Sequence, residues 1–128
     1  HRRVDNVVVT AGRRWVLQQI QSTNHSTAQN IDYMAVGTST TAPATSDTTL
    51  GSESSRIAIN SFTTSNLTSN PPSWRAEASW NTNQANTTLG EVGMFNSSSA
   101  GTLLAHATFG TVNKTTSNTL SISYTLSA

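Results

Sequence analysis

The stretch TTLGEVGMFNSSSAGTLLAHATF, Thr87–Phe109, predicts a β-hairpin. Two runs rich in apolar residues, Val92–Phe95 and Leu103–Phe109, have the composition of strands. The NSSSAG segment between them has the small polar residues and the glycine that suit a turn of several residues. A single carboxylate, Glu91, lies directly before Val92, inside the otherwise apolar stretch LGEVGMF (89–95).

On the two-residue period of a strand, Glu91 shares a face with Leu89, Gly93 and Phe95. The pattern therefore buries its carboxylate at least in part. A buried carboxylate has to be paired or hydrogen-bonded, because otherwise several kcal/mol of stability are lost. We interpret Glu91 as one half of an internal ion pair that fixes strand register. Arg56 is the preferred partner and Arg75 the second choice.

Period-two alternation or a high content of β-formers predicts further strands along the chain. These segments are VDNVVV (4–9), IDYMAVG (31–37), RIAINSF (56–62), WRAEASWN (74–81) and NTLSISYTLS (118–127). Residues 38–49 and 63–73 have the composition of loops, and the second ends in a double proline that a central strand excludes.

One segment follows the helical period instead. Thr10 is a candidate N-cap, and Trp15, Val16 and Ile20 lie at helical spacing behind it, which predicts a helix from Ala11 to about Gln21. Seven strands and one short N-terminal helix indicate an all-β fold, mainly antiparallel, arranged as a sandwich or a barrel.

Length and composition point to a single domain over residues 1–128, with residues 1–5 as a basic N-terminal arm. Serine, threonine and asparagine make up 53 of the 128 residues, so the outward strand faces carry hydroxyls. The net charge of +1 provides no overall field for nucleic acid or a membrane, and no apolar run reaches the roughly 20 residues that span a bilayer.

Basic residues are concentrated at the start of the chain, namely Arg2, Arg3, Arg13 and Arg14. They are either a solvated terminus or an arm that docks on an acidic partner. In the predicted helix, Arg13 and Arg14 lie in the first turns, where the helix dipole disfavours cations by a few tenths of a kcal/mol each. This favours a contact with an external anion.

No catalytic, cofactor or metal site is predicted. The histidines, His1, His25 and His106, are not spaced from one another or from carboxylates as metal motifs require, and His106 is interpreted as a neutral residue on an outward strand face. Nucleophile and phosphate-loop motifs are absent from the sequence. Glu77 is expected to form a surface ion pair with Arg75.

The tryptophans leave two interpretations open. Trp74 and Trp80 share a predicted strand face with two alanines, and Trp15 lies on the apolar stripe of the helix, which favours a place in the core. Stacking on sugars is the alternative, and it would suit a module that binds glycans on a host surface.

Four pieces of the chain, in order, resemble small structural proteins of tailed bacteriophages. These pieces are NVVVTAGRRW opening a helix, AVGTSTTAPA in a loop, LGSESSR, and GEVGMF followed by GTLLA and Lys114. Where that group often carries arginine after Leu-Leu-Ala, this chain has His106.

The resemblance implies a β-rich virion protein without catalytic residues, similar to capsid decoration (cement) proteins and to tail-fibre attachment domains. A small domain with a basic arm suits the decoration role: a homo-oligomer, with a trimer favoured, assembled in the host cytoplasm and bound to the major capsid protein on the capsid exterior. A tail-fibre or baseplate adaptor is the alternative.

Overall fold

The chain folds into two antiparallel β-sheets and one α-helix, as a computed structural model describes it for residues 6–21 and 30–127. The predicted basic arm, including Arg2 and Arg3, lies outside the described residues. The elements are β1 (Asn6–Val8), α1 (Thr10–Gln21), β2 (Tyr33–Gly37), β3 (Glu53–Ala58), β4 (Ser61–Thr63), a 3-10 turn (Ser65–Thr68), β5 (Ser73–Trp80), β6 (Thr88–Phe95), β7 (Leu103–Asn113) and β8 (Leu120–Ser127).

The larger sheet has the strand order β1-β7-β6-β2-β3, and the smaller one has the order β4-β5-β8. The described residues form eight strands rather than the predicted seven, because the segment RIAINSF divides between the sheets. The N–H of Ile59 donates to Asp32 O (2.7 Å), beside the larger sheet, whereas that of Asn60 donates to Glu77 O (2.8 Å) in the smaller one. The chain crosses between the sheets at these two residues.

The main core lies between the two sheets, which makes the fold a sandwich. Met34 and Met94 from the larger sheet pack in one cluster with Trp80 and Tyr124 from the smaller one. Trp80 is fully buried, and Trp74 and Trp15 pack against the same cluster. The prediction of an all-β, mainly antiparallel fold with a short N-terminal helix is therefore confirmed, and of the two predicted arrangements the sandwich is the one observed. The core position of the tryptophans is confirmed as well.

Helix α1 packs closely on β7 through a glycine. A Cβ atom at Gly12 would stand 2.4 Å from the carbonyl oxygen of Leu104, so only glycine allows the two backbones this separation. The apolar stripe of the helix differs from the prediction. Trp15 packs against the core, but Val16 is 42% exposed.

Strands β6 and β7 form the predicted hairpin, with Val92 opposite Ala107 and Gly93 opposite His106. The register shifts between Leu89 and Glu91, so the alternation restarts there. Leu89 consequently joins the core between the sheets instead of sharing the face of Glu91 and Phe95.

Candidate functional site

The carboxylate of Glu91 is fully buried under a long loop, residues 38–52, that crosses the outer face of the larger sheet. Three backbone N–H groups from the two ends of this loop donate to it: Ser39 N to Oε2 (3.1 Å), Gly51 N to Oε1 (2.8 Å) and Ser52 N to Oε2 (2.8 Å). The buried charge predicted at Glu91 is thus confirmed, and its hydrogen bonds close the neck of the loop. We call residues 38–52 the clamped loop.

His106 connects Glu91 to the middle of the clamped loop. Its Nε2 lies 2.9 Å from Glu91 Oε1, and its Nδ1 lies 2.8 Å from Asp47 Oδ2. The imidazole is almost completely buried, as its side chain is only 5% exposed. His106 lies on the outer face of the sheet as predicted, but this face is not open, because the clamped loop covers it. Asp47 from the loop binds one ring nitrogen, and Glu91 from β6 binds the other.

Two further hydrogen bonds hold the clamped loop in place. Asp47 Oδ2 also accepts from Ala44 N (2.9 Å), which closes a turn inside the loop. Thr10 N donates to Thr45 O (2.7 Å), which ties the middle of the loop to the start of α1. The loop is therefore fixed at its neck, at its centre and against the helix, although it contains no regular secondary structure.

The geometry links the protonation states of the three side chains. Ionised carboxylates only accept hydrogen bonds, so where Asp47 and Glu91 are both ionised, both nitrogens of His106 donate. No ring nitrogen is then left to take a proton from a nucleophile, which is the role of a catalytic base. The arrangement suits anchoring of a loop better than proton transfer.

A cleft of about 320 Å³ opens beside the cluster, between the clamped loop and β7. Asp47 and His106 contribute to its wall, and hydroxyl groups of the loop provide most of the rest.

Glycine is required at position 37, next to the carboxylate of Glu91, because a Cβ at Gly37 would lie 2.5 Å from Glu91 Oε2.

Arg56 does not bind Glu91, so the preferred pairing in the sequence prediction is wrong. The guanidinium instead pairs with Glu53, with Nη2 2.7 Å from Oε1 and Nε 3.0 Å from Oε2. It lies 3.6 Å from the ring centroid of Phe95 and donates to the carbonyl oxygens of Ser97 and Ala100 (2.9 and 2.8 Å). Pairing with Glu53, three residues away on its own strand, holds Arg56 over the β6–β7 turn.

Arg75, the second choice, does not bind Glu91 either. Its Nε lies 3.0 Å from Glu77 Oε1 in an exposed pair, as predicted for these two residues.

The sequence prediction missed Asp47 and the role of His106. A usable signal existed, since Asp47 is the only charged residue between positions 38 and 52.

Solvent reaches Asp47 more easily than the other two members of the cluster, as its side chain is 26% exposed. Burial by itself raises the pKa of this carboxyl. The hydrogen bond from Ala44 N–H and the bond and charge of His106 together outweigh burial, so the pKa of Asp47 lies below its ordinary value.

This lowered pKa predicts a loss of stability in acid. A carboxyl whose pKa is lower in the folded than in the unfolded state stabilises the fold above the unfolded pKa of about 3.9, and the contribution disappears as the pH falls through the folded pKa. We expect the difference in unfolding free energy between the wild type and Asp47→Asn to be constant from about pH 7 to about pH 5 and to shrink below about pH 4. Urea unfolding of both proteins measures it, and a constant difference down to about pH 2 contradicts the prediction.

The exposed side of α1 forms a second candidate site. Arg13 and Arg14 are exposed, and among the described residues no carboxylate pairs with either of them. Val16 and Leu17 beside them are 42% and 64% exposed. Two cations next to two large apolar side chains have the composition of a protein-binding surface. We call these four residues the α1 surface.

Comparison with models of known protein families, with curated proteins and with solved structures finds no significant match. Within the described part of the chain, no group of three or more histidine, cysteine, aspartate or glutamate residues is arranged to hold a metal ion. None of the helices described in residues 6–21 and 30–127 is long and apolar enough to cross a membrane.

Proposed function

We propose that this chain is a structural subunit of a tailed-bacteriophage particle, a capsid decoration (cement) protein that binds to the major capsid protein on the outside of the shell. The observation that carries the proposal is the α1 surface and the clamped loop beside it. Arg13 and Arg14 provide charge for an acidic partner, and Val16 and Leu17 provide apolar area.

The clamped loop gives this surface a rigid border. Because Thr10 N binds Thr45 O, the start of α1 and the centre of the loop are held together. A surface that is ordered before binding loses little conformational entropy when it docks on a partner. The Asp47–His106–Glu91 cluster supports the same interpretation, since its hydrogen bonds hold the conformation of the loop.

The sequence resemblance to phage structural proteins also supports a virion role. His106 occupies the position where the phage group often carries arginine, and there its Nε2 lies 2.9 Å from Glu91 Oε1. In the proposed mechanism, oligomers of the chain bridge neighbouring shell subunits and add buried interface. Binding only to the assembled shell then stabilises it by mass action.

Copy number tests this role directly. In purified particles of the phage that encodes the chain, a decoration protein is expected in proportion to the major capsid protein. A tail-fibre or baseplate adaptor is expected in proportion to the tail proteins, at a far lower level. Quantitative mass spectrometry of intact particles distinguishes the two, and a chain that is missing from the particles would overturn the virion role itself.

Charge reversal tests the α1 surface. We expect Arg13→Glu and Arg14→Glu, made singly, to weaken retention on particles stripped of the wild-type chain by at least tenfold each, and added salt to weaken wild-type retention. Arg75→Glu is the matched control, because it makes the same charge change on the smaller sheet. Sedimentation of particles with bound protein measures retention. Equal losses for all three variants would contradict the assignment of this surface.

A further inference from the structure

Within residues 6–21 and 30–127, four strands form the edges of the two sheets, and three of the four have features that discourage pairing with another chain. Strands β1 and β4 are only three residues long. Strand β3 carries the charged residues Glu53 and Arg56. Short length and charge are devices by which natural sheets avoid edge-to-edge association.

Strand β8 has none of these devices. It is eight residues long and contains neither charge nor proline. Its pairing with β5 runs without a register shift from Leu120 opposite Trp80 to Ser127 opposite Ser73. In the described part of the chain no strand pairs with its other side. An uncharged edge of this length is a template for another strand.

We propose that β8 is a self-association surface, on which residues Leu120–Tyr124 of two copies pair as antiparallel strands about a twofold axis at Ile122. The pairing joins the two smaller sheets into one continuous sheet. The inference goes beyond the proposed virion role and does not rest on it, because it concerns the isolated chain.

The alternation of β8 determines where the axis can lie. Tyr124 is buried, and Leu120 and Ile122 pack against the core, whereas Ser121 and Ser123 are exposed on the outer face. Residues directly opposite one another in an antiparallel pair point to the same face. The axis therefore passes through a residue, and at Ile122 it sets Leu120 opposite the partner subunit's Tyr124 and Ser121 opposite the partner subunit's Ser123.

The partner is a second copy because β8 is complementary to itself in this register. Apolar side chains lie opposite apolar side chains on the inner face, and hydroxyl groups lie opposite hydroxyl groups on the outer face. Because β8 contains no charged residue, the pairing leaves no charge unpaired. The same hydroxyl pairing exists within the chain, where Ser79 Oγ and Ser121 Oγ lie 2.9 Å apart across β5 and β8. The proposed pairing leaves out Thr125, which has an interaction of its own in the chain.

Cysteine cross-linking tests the register. The chain has no cysteine, so introduced thiols are the only ones present. Opposed Cβ atoms in antiparallel strands lie about 4.5–5.5 Å apart, close to the distance that a disulfide bridges. We expect a mixture of Ser121→Cys and Ser123→Cys proteins to form disulfide-linked dimers under mild oxidation that contain one copy of each, and neither protein alone to do so. Mass spectrometry of non-reduced dimers identifies the linked peptides.

Charge placement provides an independent readout, by sedimentation equilibrium over a range of protein concentrations. Ser121→Glu with Ser123→Glu sets like charges opposite one another and is expected to abolish dimers, whereas Ser121→Glu with Ser123→Lys sets opposite charges there and is expected to retain them. Thermal melts check that each variant folds.

Three results would contradict the proposed pairing of two copies through β8. No mixed disulfide, together with a wild-type chain that stays monomeric at high concentration, would overturn the proposal. Efficient cross-linking of Ser123→Cys alone would overturn the axis at Ile122. A trimer in sedimentation, as the phage resemblance implies, would overturn twofold pairing. Because these measurements use the isolated chain, they fail or succeed independently of binding to any particle.

Discussion

Replacing Glu91 with alanine is expected to lower the free energy of unfolding by about 3–5 kcal/mol, the range for removal of one partner from a buried ion pair. The substitution leaves the N–H groups of Ser39, Gly51 and Ser52 without their acceptor, and it leaves His106 with one carboxylate partner instead of two. Each buried donor without a partner is destabilising. Urea unfolding of the wild type and the variant measures the difference.

The control for Glu91→Ala is Glu77→Ala. Glu77 pairs with Arg75 at the surface, where their side chains are 42% and 46% exposed. Loss of an exposed pair is expected to cost at most about 1 kcal/mol. Hydrogen exchange adds a local readout, because the three loop amides that bind Glu91 should exchange faster in Glu91→Ala, relative to amides of β5, than in the wild type. Similar stability losses for the two variants would refute the role assigned to Glu91.

Replacing His106 with leucine is expected to cost about 3 kcal/mol, because it removes the side-chain partner of the buried Glu91 carboxylate. Leucine has a similar volume without a donor, so the loss reports the ion pairs more than a cavity. The neck of the clamped loop keeps its three backbone hydrogen bonds to Glu91, whereas its centre loses the link to Asp47. Chemical denaturation measures the stability loss.

A double-mutant cycle of His106 and Asp47 measures the coupling free energy between these two side chains. If Asp47 acts on the loop through His106, Asp47→Asn should destabilise the wild type more than it destabilises His106→Leu, with a coupling of about 0.5–3 kcal/mol. Glu53→Gln is a matched partner for the same cycle, because Glu53 binds Arg56 and not His106. Additive losses for His106 and Asp47 would show that the two side chains stabilise the fold independently.

The strands could be predicted from the sequence because their signals are local. The alternation in β5 and β8 places Trp80 and Tyr124 inside without reference to any other part of the chain. The helix was predicted from residue 11 to about 21, and α1 runs from Thr10 to Gln21. The break between β3 and β4 was not predicted, since it depends on two sheets that compete for neighbouring residues of one apolar segment.

The candidate site shows the same division. The position of Glu91 inside an apolar run was enough to predict a buried and satisfied carboxylate. Its partners could not be inferred, because the hydrogen bonds come from Ser39, Gly51 and Ser52, which are 39 to 52 residues away in the sequence. Periodicity describes which way a side chain points, and it contains no information about a loop that crosses the face.

The sequence by itself therefore determined the strand-rich architecture, the short helix and the burial of one charge, since each follows from spacing along a few neighbouring residues. Only the tertiary structure decided that His106 rather than Arg56 binds Glu91, and that Asp47 completes the cluster. It also decided that the uncharged strand β8 forms an edge of the smaller sheet. These outcomes depend on which distant segments share a face or an edge. That choice is made by the packing of the whole domain.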